Sequence, residues 1–116
     1  MQTLQQRETM VDYELDELKR EFLAEAEEKV RDIQAALDAP RSNESLERLA
    51  YLAHQLKGSG GSYGYQTISN VAAELEQAVE ALTAGASSDG VDAKLQQHVT
   101  NLAEEITTRA AELGPA

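Results

Sequence analysis

Residues 42–64 read SNESLERLAYLAHQLKGSGGSYG, and the spacing of their apolar side chains decides the fold. Leu46, Leu49, Ala53 and Leu56 recur at steps of three and four, which puts them on one stripe of an α-helix. Ser42 or Asn43, in the polar link after Pro40, offers a side-chain oxygen to the unpaired amides of the first turn. The helix is expected over about 42–63, with Gly64 serving the turn that follows. The same period continues on both sides. Upstream, Leu15, Leu18, Phe22, Ala26, Val30, Ile33 and Leu37 mark a helix over about 11–38, stopped by Pro40. Downstream, Ile68, Val71, Ala72, Leu75, Val79 and Leu82 mark a third over about 65–84. After the linker Gly85-Ala86-Ser87-Ser88-Asp89-Gly90, a fourth follows over about 91–113. Its stripe is Leu95, Val99, Leu102, Ile106, Ala110 and Leu113, and Gly114-Pro115 ends it. Leu and Ala outnumber the nine Val and Ile and the five aromatics, which favours helix over strand. Four amphipathic helices on short connections bury their stripes most simply as an all-α, antiparallel up-down-up-down four-helix bundle. Residues 1–10 are expected as a short extra helix or a tail.

At 116 residues and 12.6 kDa the chain is one domain, large enough for a core without disulfides or metal. Its 21 acidic and 10 basic residues leave a formal charge of -11, the wrong sign for gripping nucleic acid or an anionic membrane. Cysteine is absent, which removes disulfides, thiolate zinc sites and thiol nucleophiles. The polar start, Met1 to Met10, and the lack of any run of about 18 apolar residues predict a cytoplasmic protein, with no partner needed to fold as a monomer. No glycine-rich nucleotide cradle is present, so ATP binding is not expected. No metal site is expected either. A carboxylate bundle places Glu three residues before a histidine, and here Tyr51 and Leu95 stand there.

Two irregularities remain, the histidines and the glycines. There are only two histidines, and four of the seven glycines, Gly58, Gly60, Gly61 and Gly64, fall within seven positions. Advancing about 100° per residue from the buried stripe puts His54 well off it, one turn from Ala50, Lys57 and Gly58 and two turns from Gly61. A glycine within a helix costs about 1 kcal/mol relative to alanine, so several together need a reason. In the bland account they end a helix and His54 is a solvated side chain. In the functional account the small residues clear a landing area so that another protein's active site reaches the imidazole. Ser59 and Ser62 lack a base. His98, beside the fourth stripe, has neither glycines nor a lysine next to it and is assigned no functional role.

The segment Ala53-His54-Gln55-Leu56-Lys57-Gly58, with Gly64 ten residues after the histidine, resembles the signature of histidine-containing phosphotransfer (HPt) domains. Glu21-Phe22-Leu23-Ala24-Glu25-Ala26-Glu27-Glu28 is similar to the family's first bundle helix, and Ala72-Ala73-Glu74-Leu75-Glu76 to its third. The likeness covers about residues 15–82. It also extends to the phosphoacceptor domain of chemotaxis-type kinases, although Ala73 stands where those often carry a second histidine.

The resemblance implies a phosphoryl carrier in a two-component phosphorelay, with His54 as phosphoacceptor. An imidazole with an ordinary pKa of about 6.5 is a ready nucleophile near neutral pH. In the family Nε2 attacks, and a glutamate 22 residues on, here Glu76, orients the ring from the edge of the third stripe. Lys57, one turn from His54, would offset the phosphoryl charge on so acidic a protein. The implied partners are response-regulator receiver domains and a sensor or hybrid histidine kinase. They would dock over Glu47, Ala50, Tyr51, Gln55, Gly58, Gly61 and Gln66, with no cofactor in this chain and Mg²⁺ supplied on the receiver. The alternatives are an N-terminal phosphoacceptor domain of a chemotaxis-like kinase and a module that sequesters a response regulator without carrying phosphate.

Overall fold

The computed structural model describes residues 4–87 and 89–114, with side chains from residue 14 onward. The described chain forms α1 (Leu4–Asp38), α2 (Asn43–Ser62), α3 (Gln66–Thr83) and α4 (Val91–Leu113). Each helix packs on its two neighbours around a square, α1 on α2, α2 on α3, α3 on α4 and α4 on α1, while the diagonal pairs stay apart. The result is the antiparallel four-helix bundle that the periodicity predicts.

The core is the meeting of the four stripes. Phe22, Ala26, Val30 and Ile33 of α1 pack against Leu49, Ala53 and Leu56 of α2, Ile68, Ala72, Leu75 and Val79 of α3, and Leu95, Val99, Leu102 and Ile106 of α4. Leu23 and Leu52 are also buried, each beside a stripe residue, so the apolar faces are wider than the sequence periodicity alone suggests.

The first helix departs from expectation. It begins at Leu4 rather than near residue 11, and residues 4–10 continue it instead of forming a separate element; residues 1–3 lie outside the described residues. At 1.5 Å per residue its 35 residues reach about 52 Å, against about 27–35 Å for the 20, 18 and 23 residues of α2, α3 and α4. The bundle ends near Arg20, whose guanidinium donates to the carbonyl of Leu113 at the end of α4 (3.3 Å). Leu15 and Leu18 lie beyond that level and are 37 % and 45 % exposed, although both fall on the apolar stripe. They have no neighbouring helix to be buried by.

The termini of α2 follow from local chemistry. Ser42 is the N-cap. Its hydroxyl accepts from the Ser45 amide (3.0 Å) while the Ser45 hydroxyl accepts from the Ser42 amide (2.9 Å), a capping box with serine in the usual glutamate place. At the other end Tyr63 is the C-cap, and Gly64 follows it with φ +82 rather than capping the helix itself. The amide of Tyr65 reaches the carbonyl of Gly60 (2.8 Å) and that of Gly64 reaches Gly61 (3.1 Å). This is the Schellman pattern, which requires a left-handed residue at position 64. Phe22 of α1 stacks on Tyr63 and Tyr65, with centroids at 5.1 and 5.9 Å, and secures the turn into α3. Gly114 is the C-cap of α4, and Pro115 lies outside the described residues.

Candidate functional site

Capping, core and turn together fix α2 with His54 facing outward and α3 close alongside. The closeness has a specific cause. A Cβ on Gly60 would stand 3.1 Å from the Ser69 amide nitrogen and 3.4 Å from the Tyr65 carbonyl oxygen, so glycine here lets the start of α3 approach this far without a tight contact. The Ser69 hydroxyl then donates to the carbonyl of Lys57 (2.8 Å), tying α3 to α2 one turn past His54.

That registration brings Glu76 under His54. His54 Nδ1 lies 2.8 Å from Glu76 Oε2, and Lys57 Nζ donates to Glu76 Oε1 at 3.2 Å. The Glu76 side chain is only 11 % exposed, whereas that of His54 is 68 % exposed. An ionised carboxylate accepts and cannot donate, so the His54–Glu76 contact places the ring proton on Nδ1. A neutral ring held in this way carries its lone pair on Nε2. The arrangement resembles the carboxylate–imidazole pairs that hold one tautomer and orientation. Lys57 is the one departure from the simple picture. It is drawn to the buried carboxylate rather than standing free beside the imidazole.

A family model of the Hpt domain matches residues 17–109. The chain belongs to the Hpt domain family. Searches of curated proteins and of solved structures return no match. Hpt domains serve histidine phosphotransfer in phosphorelays and interact with receiver domains and kinases, and that class of function is this chain's. Among the described residues no helix of this Hpt domain is long and apolar enough to cross a membrane, and no three His, Asp or Glu side chains converge as a metal site.

The residues singled out for docking are distributed along one face of the Hpt domain. Glu47, Tyr51, Gly58 and Gly61 are exposed on α2, and Gln66 opens α3. Gln55, half-buried, donates to the Tyr51 hydroxyl (2.8 Å), and Gln66 donates to Asn70 (2.8 Å). Ala50 is half-buried against the core. A Cβ on Gly58 would meet nothing within 4 Å, so position 58 is open ground beside His54. His98 lies apart on α4, its Nδ1 3.7 Å from Glu74 and without a hydrogen bond.

Three contributors escape the sequence reading. Ser69 shares a face with Ala72, Ala73 and Glu76 at helical spacing, and this small and polar seam was its only signal. Gly60 could be counted as one of the glycines but not separated from its neighbours without the α3 backbone. Lys29 of α1 lines a shallow depression together with His54, Gln55, Gly58, Ser59, Ser62 and Tyr63, and no local motif marks it.

Proposed function

We propose that His54 is the phosphoryl-carrying residue of this Hpt domain, accepting from a phospho-aspartate of a receiver domain, or from a kinase, and passing the group to the aspartate of another receiver. The observation that carries this reading is the 2.8 Å contact from His54 Nδ1 to Glu76, which leaves the lone pair on Nε2 as the nucleophile.

The transfer balances with these groups. Nε2 attacks phosphorus, the P–O bond to the aspartyl carbonyl breaks, and aspartate leaves as a carboxylate. The imidazole becomes a phosphorylated cation that keeps its Nδ1 proton. Glu76, already facing that proton, stabilises the positive charge developing on the ring, with no reorganisation at the moment of reaction. Lys57, paired with the other Glu76 oxygen, keeps the partly buried carboxylate compensated. It also adds a cation within one turn of the incoming phosphoryl group. Gly58 and Gly61 leave room for the receiver's loops. A Mg²⁺ ion on the receiver would neutralise the transferring oxygens, and this chain contributes positioning and electrostatics.

The test is transfer from a phosphorylated receiver domain to the protein. The expected product is an acid-labile, base-stable phosphate that is absent in His54→Gln and retained in His98→Gln. Full labelling of His54→Gln overturns the assignment.

A further inference from the structure

We infer that Lys29, on α1, is a second cation for the phosphoryl group on His54, reaching it from the side opposite Lys57; the inference rests on the phosphotransfer reading above. Helix α2 packs between α1 and α3. On its α3 flank, the Lys57 charge is already engaged by Glu76 at 3.2 Å. That pair is close to neutral as a unit, yet a phosphoryl group brings about −1.5 to −2 further charge to a chain already at -11. On the α1 flank lies the depression beside His54. Lys29 is the only lysine, arginine or carboxylate among its lining residues, which otherwise are Gln55, Gly58, Ser59, Ser62 and Tyr63.

No carboxylate among the described residues forms an ion pair with Lys29. Asp32, one turn on, pairs with Arg48 at 3.8 Å. The lysine is half-buried, and its ammonium is carried on a flexible four-carbon chain. Gly58, which lines the same depression, adds no side chain to it, and a Cβ there would meet nothing within 4 Å. A dianion on Nε2 would therefore stand between two ammonium groups, one from each flank of α2, with Lys29 as the one not already compensated.

The experiment labels the full chain with phosphoramidate, a small donor whose P–N bond breaks as the P–Nε2 bond forms and ammonia leaves. The phosphoryl group is titrated by ³¹P NMR, and transfer to a receiver domain is timed. In Lys29→Gln its last proton should come off at higher pH, because the neighbouring cation that favours the dianion is gone. Transfer should change about tenfold, the size of one charge-assisted hydrogen bond. Lys29→Arg should restore both readings, and Lys94→Gln, on the exposed side of α4, should alter neither. Circular dichroism and a thermal melt establish that each variant is folded. If wild-type His54 takes the label and Lys29→Gln matches wild type in both titration and transfer, this inference is overturned while the phosphotransfer reading stands. If wild-type His54 takes no label, that reading falls and this inference with it.

Discussion

Nδ1 of His54 and Oε2 of Glu76 stand 2.8 Å apart across the α2–α3 interface, and the second oxygen of the same carboxylate holds Lys57 at 3.2 Å. One buried carboxylate thus meets both the histidine ring and the lysine ammonium. Its location depends on Gly60 and Ser69, which bring α3 close and fix its register against α2. The site is therefore a property of the helix pair rather than of the short motif around the histidine.

Removal of Glu76 should release the tautomer before it disturbs the fold. In Glu76→Ala, ¹⁵N NMR of the imidazole should change from a ring protonated at Nδ1 to a mixture of both neutral forms. Phosphoryl transfer should fall by about ten- to a hundredfold, as when other orienting carboxylates are lost. An unchanged tautomer ratio would mean that another group holds the ring.

Lys57 should act partly through Glu76, and a double-mutant cycle separates that share from direct contact with phosphate. Lys57→Ala should slow transfer in the wild-type background and slow it less in Glu76→Gln, with a coupling of about 0.5–3 kcal/mol in the activation free energy. Strict additivity would assign Lys57 entirely to the phosphoryl group.

Much of this was legible in the chain. The stripes of α2, α3 and α4 predict their helices because each is buried along its length, and the exposed His54 follows from the same periodicity. Leu15 and Leu18 mislead because a stripe records which face is apolar, not whether a neighbour is long enough to cover it. Glu76 was reachable only through the family resemblance, since one glutamate at a stripe edge looks like any solvated one. Lys29 and Ser69 were hidden for a simpler reason. Each meets the site across a helix interface, and relative rotation of packed helices is not written in either helix's own spacing.

Tyr65 provides a pH-dependent readout of the turn below the site. Burial, and then the charges of Asp16 and Glu112, push its phenol up from the ordinary value of 10.0, with Arg109 pulling the other way. The unfolded chain therefore releases this proton first. Its stabilising share is full below the unfolded value and is lost as pH rises through the higher folded one. Ultraviolet titration should show a late tyrosinate component that disappears in Tyr65→Phe, and that variant should lose less stability between neutral and strongly alkaline pH. A titration curve identical in both proteins would refute the assignment.

The glycine cluster gives the sharpest contrast, because one substitution should have opposite effects two residues apart. At Gly58 an added Cβ meets nothing within 4 Å, so Gly58→Ala should raise stability by about 0.5–1 kcal/mol through reduced freedom of the unfolded chain. At Gly60 the added Cβ lies 3.1 Å from the Ser69 amide and 3.4 Å from the Tyr65 carbonyl, both backbone atoms that move only if α3 moves. Gly60→Ala should therefore cost about 1–3 kcal/mol despite its better helix propensity. Denaturant melts measure both. Function should divide along a different line. Gly58→Ala leaves Glu76 in place and should still label His54 with a small phosphodonor while slowing exchange with a bulky receiver. Gly60→Ala shifts the helix that carries Ser69 and Glu76, so it should weaken labelling by both donors. Equal stability changes at the two positions would show that α3 yields to the extra methyl, and that Gly60 does not set the distance between His54 and Glu76.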